Sequence, residues 1–80
     1  MLVPNPARGQ SELRVTATQR EWVQVRVLSA VGVEVFRKGW QVEAGQQVMA
    51  LPLSDLAAGT YFVDLQLNDS HQLLRLLVID

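Results

Sequence analysis

The sequence predicts an all-β antiparallel sandwich of about seven short strands. Two observations carry this reading. Apolar and polar residues alternate with period two along most of the chain, and turn residues interrupt the alternation about every 8–12 residues. Composition is the third. Of 80 residues, 49% are apolar and 19% charged, which is too hydrophobic for a disordered tail. Val and Leu are the commonest residues, and Val is stiff at χ1 and fits a pleated surface.

The first strand is expected near residues 2–4. Pro4-Asn5-Pro6 then breaks the chain, because neither proline can donate to a ladder and each pushes its predecessor to extended geometry. Ala7 to Gln10 follows as a loop. Residues 11–17 form the second strand, with Leu13, Val15 and Ala17 inward and Glu12, Arg14 and Thr16 outward. After a polar connection over Thr18 to Glu21, residues 22–29 turn Val23, Val25 and Val27 to the core. Trp22, Gln24 and Arg26 then face out. Ser29-Ala30-Val31-Gly32 reads as a tight hairpin, with Gly32 free to take a positive φ.

A fourth strand spans 33–40, so that Trp40 ends it after Gly39. Glu43-Ala44-Gly45 is a turn, and a fifth strand covers 46–53. Ser54 to Gly59 is a longer connection holding a single helical turn, capped by Ser54 or Asp55 and ended by Gly59. The sixth strand, 60–68, alternates Tyr61, Val63, Leu65 and Leu67 against Phe62, Asp64 and Gln66. Asn68-Asp69-Ser70 closes the last hairpin. The seventh strand, 71–79, differs from the rest. Leu73, Leu74, Leu76, Leu77, Val78 and Ile79 make both of its faces apolar. Either it is covered on both sides, or it is partly exposed and docks onto a partner. The whole reads as one Ig-like domain over residues 1–80, with a thin core that buries roughly 60–65% of the unfolded surface.

Several function classes have little support. Net charge is −1, from seven basic and eight acidic residues, and only Arg37-Lys38 is a basic pair. Such a balance produces no field that steers nucleic acid or an anionic membrane. With no cysteine there is neither a disulfide framework nor a thiolate metal site. No stretch reaches the ~18 apolar residues of a membrane helix. No signal peptide opens the chain, and Met1 reads as a start added to an excised segment.

No residue pattern points to catalysis or a cofactor. His71, the lone histidine, has no partner nearby in sequence and sits beside a turn where solvation is ordinary. The acids are spread over outer faces, and Asp64 and Asp69 lie in no apolar run that raises a carboxyl pKa. Ser11, Ser29, Ser54 and Ser70 lie in or beside turns, outside any nucleophile elbow. The five glycines are dispersed, so no phosphate-cradling loop forms. Asn68-Asp69-Ser70 matches the three-residue glycosylation pattern only weakly. Trp22, outward, and Trp40 either cover the edge of the thin core or mark a contact surface.

Four features in order remain. They are Val3-Pro4-Asn5-Pro6-Ala7; Gly32-Val33-Glu34-Val35; Leu51-Pro52-Leu53 leading into Leu56, Gly59, Tyr61 and Val63; and Arg75-Leu76-Leu77-Val78-Ile79, shortly before the sequence stops at Asp80. Together they resemble the C-terminal sorting domain of type IX secretion cargo proteins of the Bacteroidetes, over nearly the whole chain. Leu56, Gly59, Tyr61 and Val63 are the most specific element, and Arg75 stands where family members often carry lysine.

The resemblance implies a non-enzymatic address label at the end of a larger secreted protein. It implies recognition in the periplasm by an outer-membrane shuttle, passage through the type IX translocon, and removal by a sortase-like peptidase that leaves the cargo on the cell surface. It places the main export determinant in Arg75 to Ile79. Each motif residue also has a fold reason, so the functional expectation rests on the resemblance. The other reading is an Ig-like accessory module binding carbohydrate or protein through Trp22 and Trp40. Edge strands also invite pairing into a homodimer.

Overall fold

Period-two alternation becomes seven strands: β1 (Leu2–Arg8), β2 (Gln10–Ala17), β3 (Glu21–Ser29), β4 (Glu34–Val42), β5 (Gly45–Pro52), β6 (Gly59–Gln66) and β7 (His71–Val78). The structure is a computed structural model. It describes the backbone of residues 2–68 and 70–79, and the side chains of those residues apart from 2–8 and 10. Asp69, in the expected final turn, and Asp80 lie outside the described residues.

Hydrogen bonding joins the strands in the order β4-β3-β6-β7-β1-β2-β5. This row folds into two layers at β1. Leu2 and Val3 pair antiparallel with Leu13 and Glu12 of β2, whereas Ala7 pairs in parallel with Val78 of β7. The register between β1 and β2 shifts between Val3 and Arg8, across Pro4-Asn5-Pro6. Prolines lack the N–H that a ladder needs, so the strand gives up β2 there and reaches the other sheet.

The expected break is therefore a bend within one strand. The expected loop over 7–10 is strand on both sides of Gly9, whose φ of 78° makes the reversal. Among the described residues the sandwich is antiparallel apart from this one parallel pairing. β2 pairs with β5, and β3 with both β4 and β6. The chain thus crosses between layers after β2, β4 and β5, the Greek-key connectivity of Ig-like sandwiches.

The inward faces meet as expected. Leu13, Val15 and Ala17 pack with Val23, Val25, Val27, Tyr61, Val63 and Leu65. Met49, Leu51 and Leu53 close the core from β5 and the turn after it. Two boundaries differ from the sequence reading. β4 continues to Val42, a buried core residue, so Trp40 lies inside the strand and packs half-buried against the core. Residues 54–58 form no helix, and Ser54 and Asp55 cap nothing. Leu53 and Leu56 both turn toward the core, and the Leu56 N–H donates to the Leu53 carbonyl at 3.0 Å in a tight turn.

β7 resolves its ambiguity in favour of exposure. Leu76 and Val78 are buried and Leu74 packs against the core, while Leu73 is 61% exposed and Leu77 is also open. Leu76→Ala is expected to cost about 2–5 kcal/mol. Leu73→Ala should stay within about 0.5 kcal/mol of the parent. Urea denaturation of both variants measures the difference, and equal effects would contradict this burial pattern.

Candidate recognition site

Strand register alone gathers the sequence motifs. Gly59, which opens β6, lies beside Val78 near the end of β7, and Tyr61 lies beside Ser29 at the start of the β3–β4 turn. Ala7 reaches Val78 from β1, Gln10 faces Pro52, and the Leu53 N–H donates to the Gly9 carbonyl at 2.8 Å. The Gly32 turn, the corner before β6, the β1–β2 hairpin and the finish of β7 therefore share one end of the sandwich. The connections over Thr18–Arg20 and Glu43–Ala44, and the start of β7, lie at the other.

Tyr61 organises the corner. Its ring is buried, and its hydroxyl donates to the Ala57 carbonyl at 2.7 Å. This is the tyrosine corner of Ig-like sandwiches, a phenol tying the loop before a strand to the strand itself. Leu53 is fully buried and Leu56 half-buried beneath that loop, and Val63 continues the inward row. Gly32 has φ 88°, and its N–H donates to the Ser29 carbonyl at 2.9 Å. Ser29 and Val33 then close a three-residue hairpin with its glycine in the left-handed region.

The motif residues thus play two parts. Leu56, Tyr61, Val63, Leu76 and Val78 point into the fold, whereas Arg75 and Leu77 face outward from β7. Ile79 follows the strand half-buried. Gly59 shapes the entry to β6. Pro4, Asn5 and Pro6 mark the bend of β1, and their side chains lie outside the described residues.

One group escaped the sequence reading. Asp64 was expected on a solvated face, yet it is only 5% exposed. It sits on the outer side of the four-stranded layer, directly opposite Arg26 in the β3–β6 ladder. Arg26 donates to Asp64 Oδ2 from Nε at 3.1 Å and from Nη2 at 2.5 Å. His71 Nε2 meets Asp64 Oδ1 from β7, so the lone histidine has a partner after all. Arg26 also lies 3.8 Å from Glu34, which pairs with Arg37 at 2.8 Å. A chain of ionisable side chains, Arg37–Glu34–Arg26–Asp64–His71, therefore crosses all four strands.

Burial is the largest influence on Asp64, and it disfavours the carboxylate. The Arg26 hydrogen bonds, then the His71 contact, outweigh it together and hold the pKa below the usual carboxylate value. Strand parity places Arg26 and Asp64 on the same face, but only the register brings them opposite one another.

A family model described as a secretion system C-terminal sorting domain matches residues 1–80. The chain belongs to the type IX sorting-domain family. A search of the curated proteins finds no match.

The sorting domain is thus an export signal: it marks an attached protein for type IX secretion, to the cell surface or beyond it. Its partners are the secretion machinery and a cargo on its N-terminal side, and the family is not itself catalytic. The accessory-module reading is not favoured. Nor do its two tryptophans share a surface. Trp22 faces out, whereas Trp40 pairs with buried Val23 on the inner face, with the Lys38 ammonium 5.3 Å from its ring centroid.

Asp64→Asn keeps the shape and removes the charge. At pH 7 it should cost about 1–3 kcal/mol, the scale of hydrogen bonds to charged groups. The folded pKa is depressed, so the stabilisation is present above the unfolded carboxyl value and is lost as pH falls toward the folded one. From about pH 5 downward, the parent sorting domain should lose stability more steeply than Asp64→Asn. Parallel slopes in an acid denaturation series would refute this.

Proposed function

We propose that the type IX machinery reads this sorting domain at the end where β6 starts and β7 finishes. The carrying observation is the register that gathers the Gly32 turn, the Leu56–Val63 corner and the Arg75–Ile79 segment at that end. Arg75 and Leu77 are the contact residues, since both face solvent there. Leu56, Gly59, Tyr61, Val63, Leu76, Val78 and Ile79 set the shape that presents them. Pro4-Asn5-Pro6 lies near the junction with the cargo, and residues 1–80 act as one unit of a larger secreted protein. In this reading an outer-membrane shuttle captures the domain in the periplasm, and a sortase-like peptidase removes it after passage. β4 and β5, the outermost strands of the two layers, provide edges through which two copies pair at high concentration.

The test fuses the domain to the C-terminus of a periplasmic reporter in a type IX-competent bacterium. Arg75→Glu with Leu77→Glu should abolish surface delivery while thermal unfolding of the purified variant shows an intact fold. Val48→Glu, a change at another exposed position, on β5, should leave delivery unchanged. Normal delivery of the Arg75/Leu77 variant would sink the assignment of these contacts. A parent fusion that stays in the periplasm would sink the route itself.

A further inference from the structure

At the end of the sandwich away from the motifs, the outer face of the four-stranded layer holds a shallow hollow of about 290 Å³. Trp22, Gln24, Gln66, Leu67 and Asn68 line it. Trp22 is 55% exposed, so its indole adds apolar surface to the hollow. Its ring is nevertheless held in place. It lies against the backbone of Gly39 on β4, where any Cβ would collide with it. A glycine covered by a cross-strand aromatic fixes that ring on the sheet surface.

Beside it, Gln24 and Gln66 stand directly opposite one another in the β3–β6 ladder, on the same outer face. Asn68 follows β6, and its backbone N–H donates to the Glu21 carboxylate at 3.2 Å, which ties that residue to β3. The hollow is thus an anchored indole bordered by three carboxamides, with no charged side chain among the described residues that line it.

Each carboxamide can both donate and accept hydrogen bonds. A sugar hydroxyl does the same. The electron-rich face of an indole attracts the positively polarised C–H bonds on the flat side of a pyranose ring. An anionic ligand would find no cation in the lining. An extended peptide would need pockets for alternate side chains, which a shallow hollow lacks. We propose that this hollow is a subsite for one neutral pyranose of a glycan, separate from the motif end and independent of the contacts proposed there.

Amide NMR titration of the 80-residue domain tests it with three probes: methyl β-glucopyranoside, methyl α-mannopyranoside and diacetylchitobiose. At least one should give saturable shifts of the Trp22 indole N–H and the Gln24, Gln66 and Asn68 side-chain amides, with a dissociation constant on the order of 1 mM. Trp22→Ala should weaken that binding at least about tenfold. If this variant loses its fold by uncovering Gly39, the Gln24→Ala/Gln66→Ala double variant decides in its place, with the same loss expected. The proposal is overturned if no probe shifts these resonances at about 50 mM. It is equally overturned if a folded variant binds like the parent, or if a Gly-Ser-Gly-Ser peptide produces the same saturable shifts.

Discussion

The β6–β7 ladder, running from Gly59–Val78 to Gln66–His71, is the constraint on which the rest of the site depends. Side chains alternate across a strand, so a slip of one residue would invert β7. Arg75 and Leu77 would then face the core, and Leu76 and Val78 would face water. Two devices oppose the slip. Leu76 and Val78 lose their burial if it happens. Asp64 also fixes the alignment from the outer side, because it meets Arg26 directly across one ladder and His71 diagonally across the other. A slip that parted this buried carboxylate from Arg26 would leave it without its main compensating charge, so the pairing opposes the slip.

The inner half of the fold was legible in the sequence because its rule is local. Val23, Val25 and Val27, or Tyr61, Val63 and Leu65, declare their face by spacing alone. Gly32 likewise declares its turn. The misreadings arose where a second strand decides. Nothing near Asp64 in sequence announces Arg26, which lies 38 residues away. Nor does Ala7 announce Val78, so the proline segment looked like an end and is a bend. The Ser54–Gly59 stretch has helix-cap residues, yet Leu53 and Leu56 drew it into a turn by burying themselves. Trp40 looked terminal because Gly39 precedes it, when that glycine is there to receive Trp22 from the next strand.

The candidate site was half legible for a related reason. Its residues stood out as an ordered pattern, but the pattern mixes two kinds of requirement. Tyr61, Val63, Leu56, Leu76 and Val78 occupy positions that any small Ig-like sandwich would fill in a similar way. Their pattern describes a shape. Arg75 and Leu77 are the members that this shape holds outward. The register was needed to separate the two groups, and it also showed that distant motifs converge on one end.

The strand that belongs to both layers has a mechanical consequence. β1 runs parallel to β7 where Ala7 meets Val78. Tension that draws the start of β1 and the finish of β7 apart therefore slides these two strands past one another. It does not peel β7 from β6 one bond at a time. A domain pulled by its two ends resists first in shear, at the corner where its motifs gather.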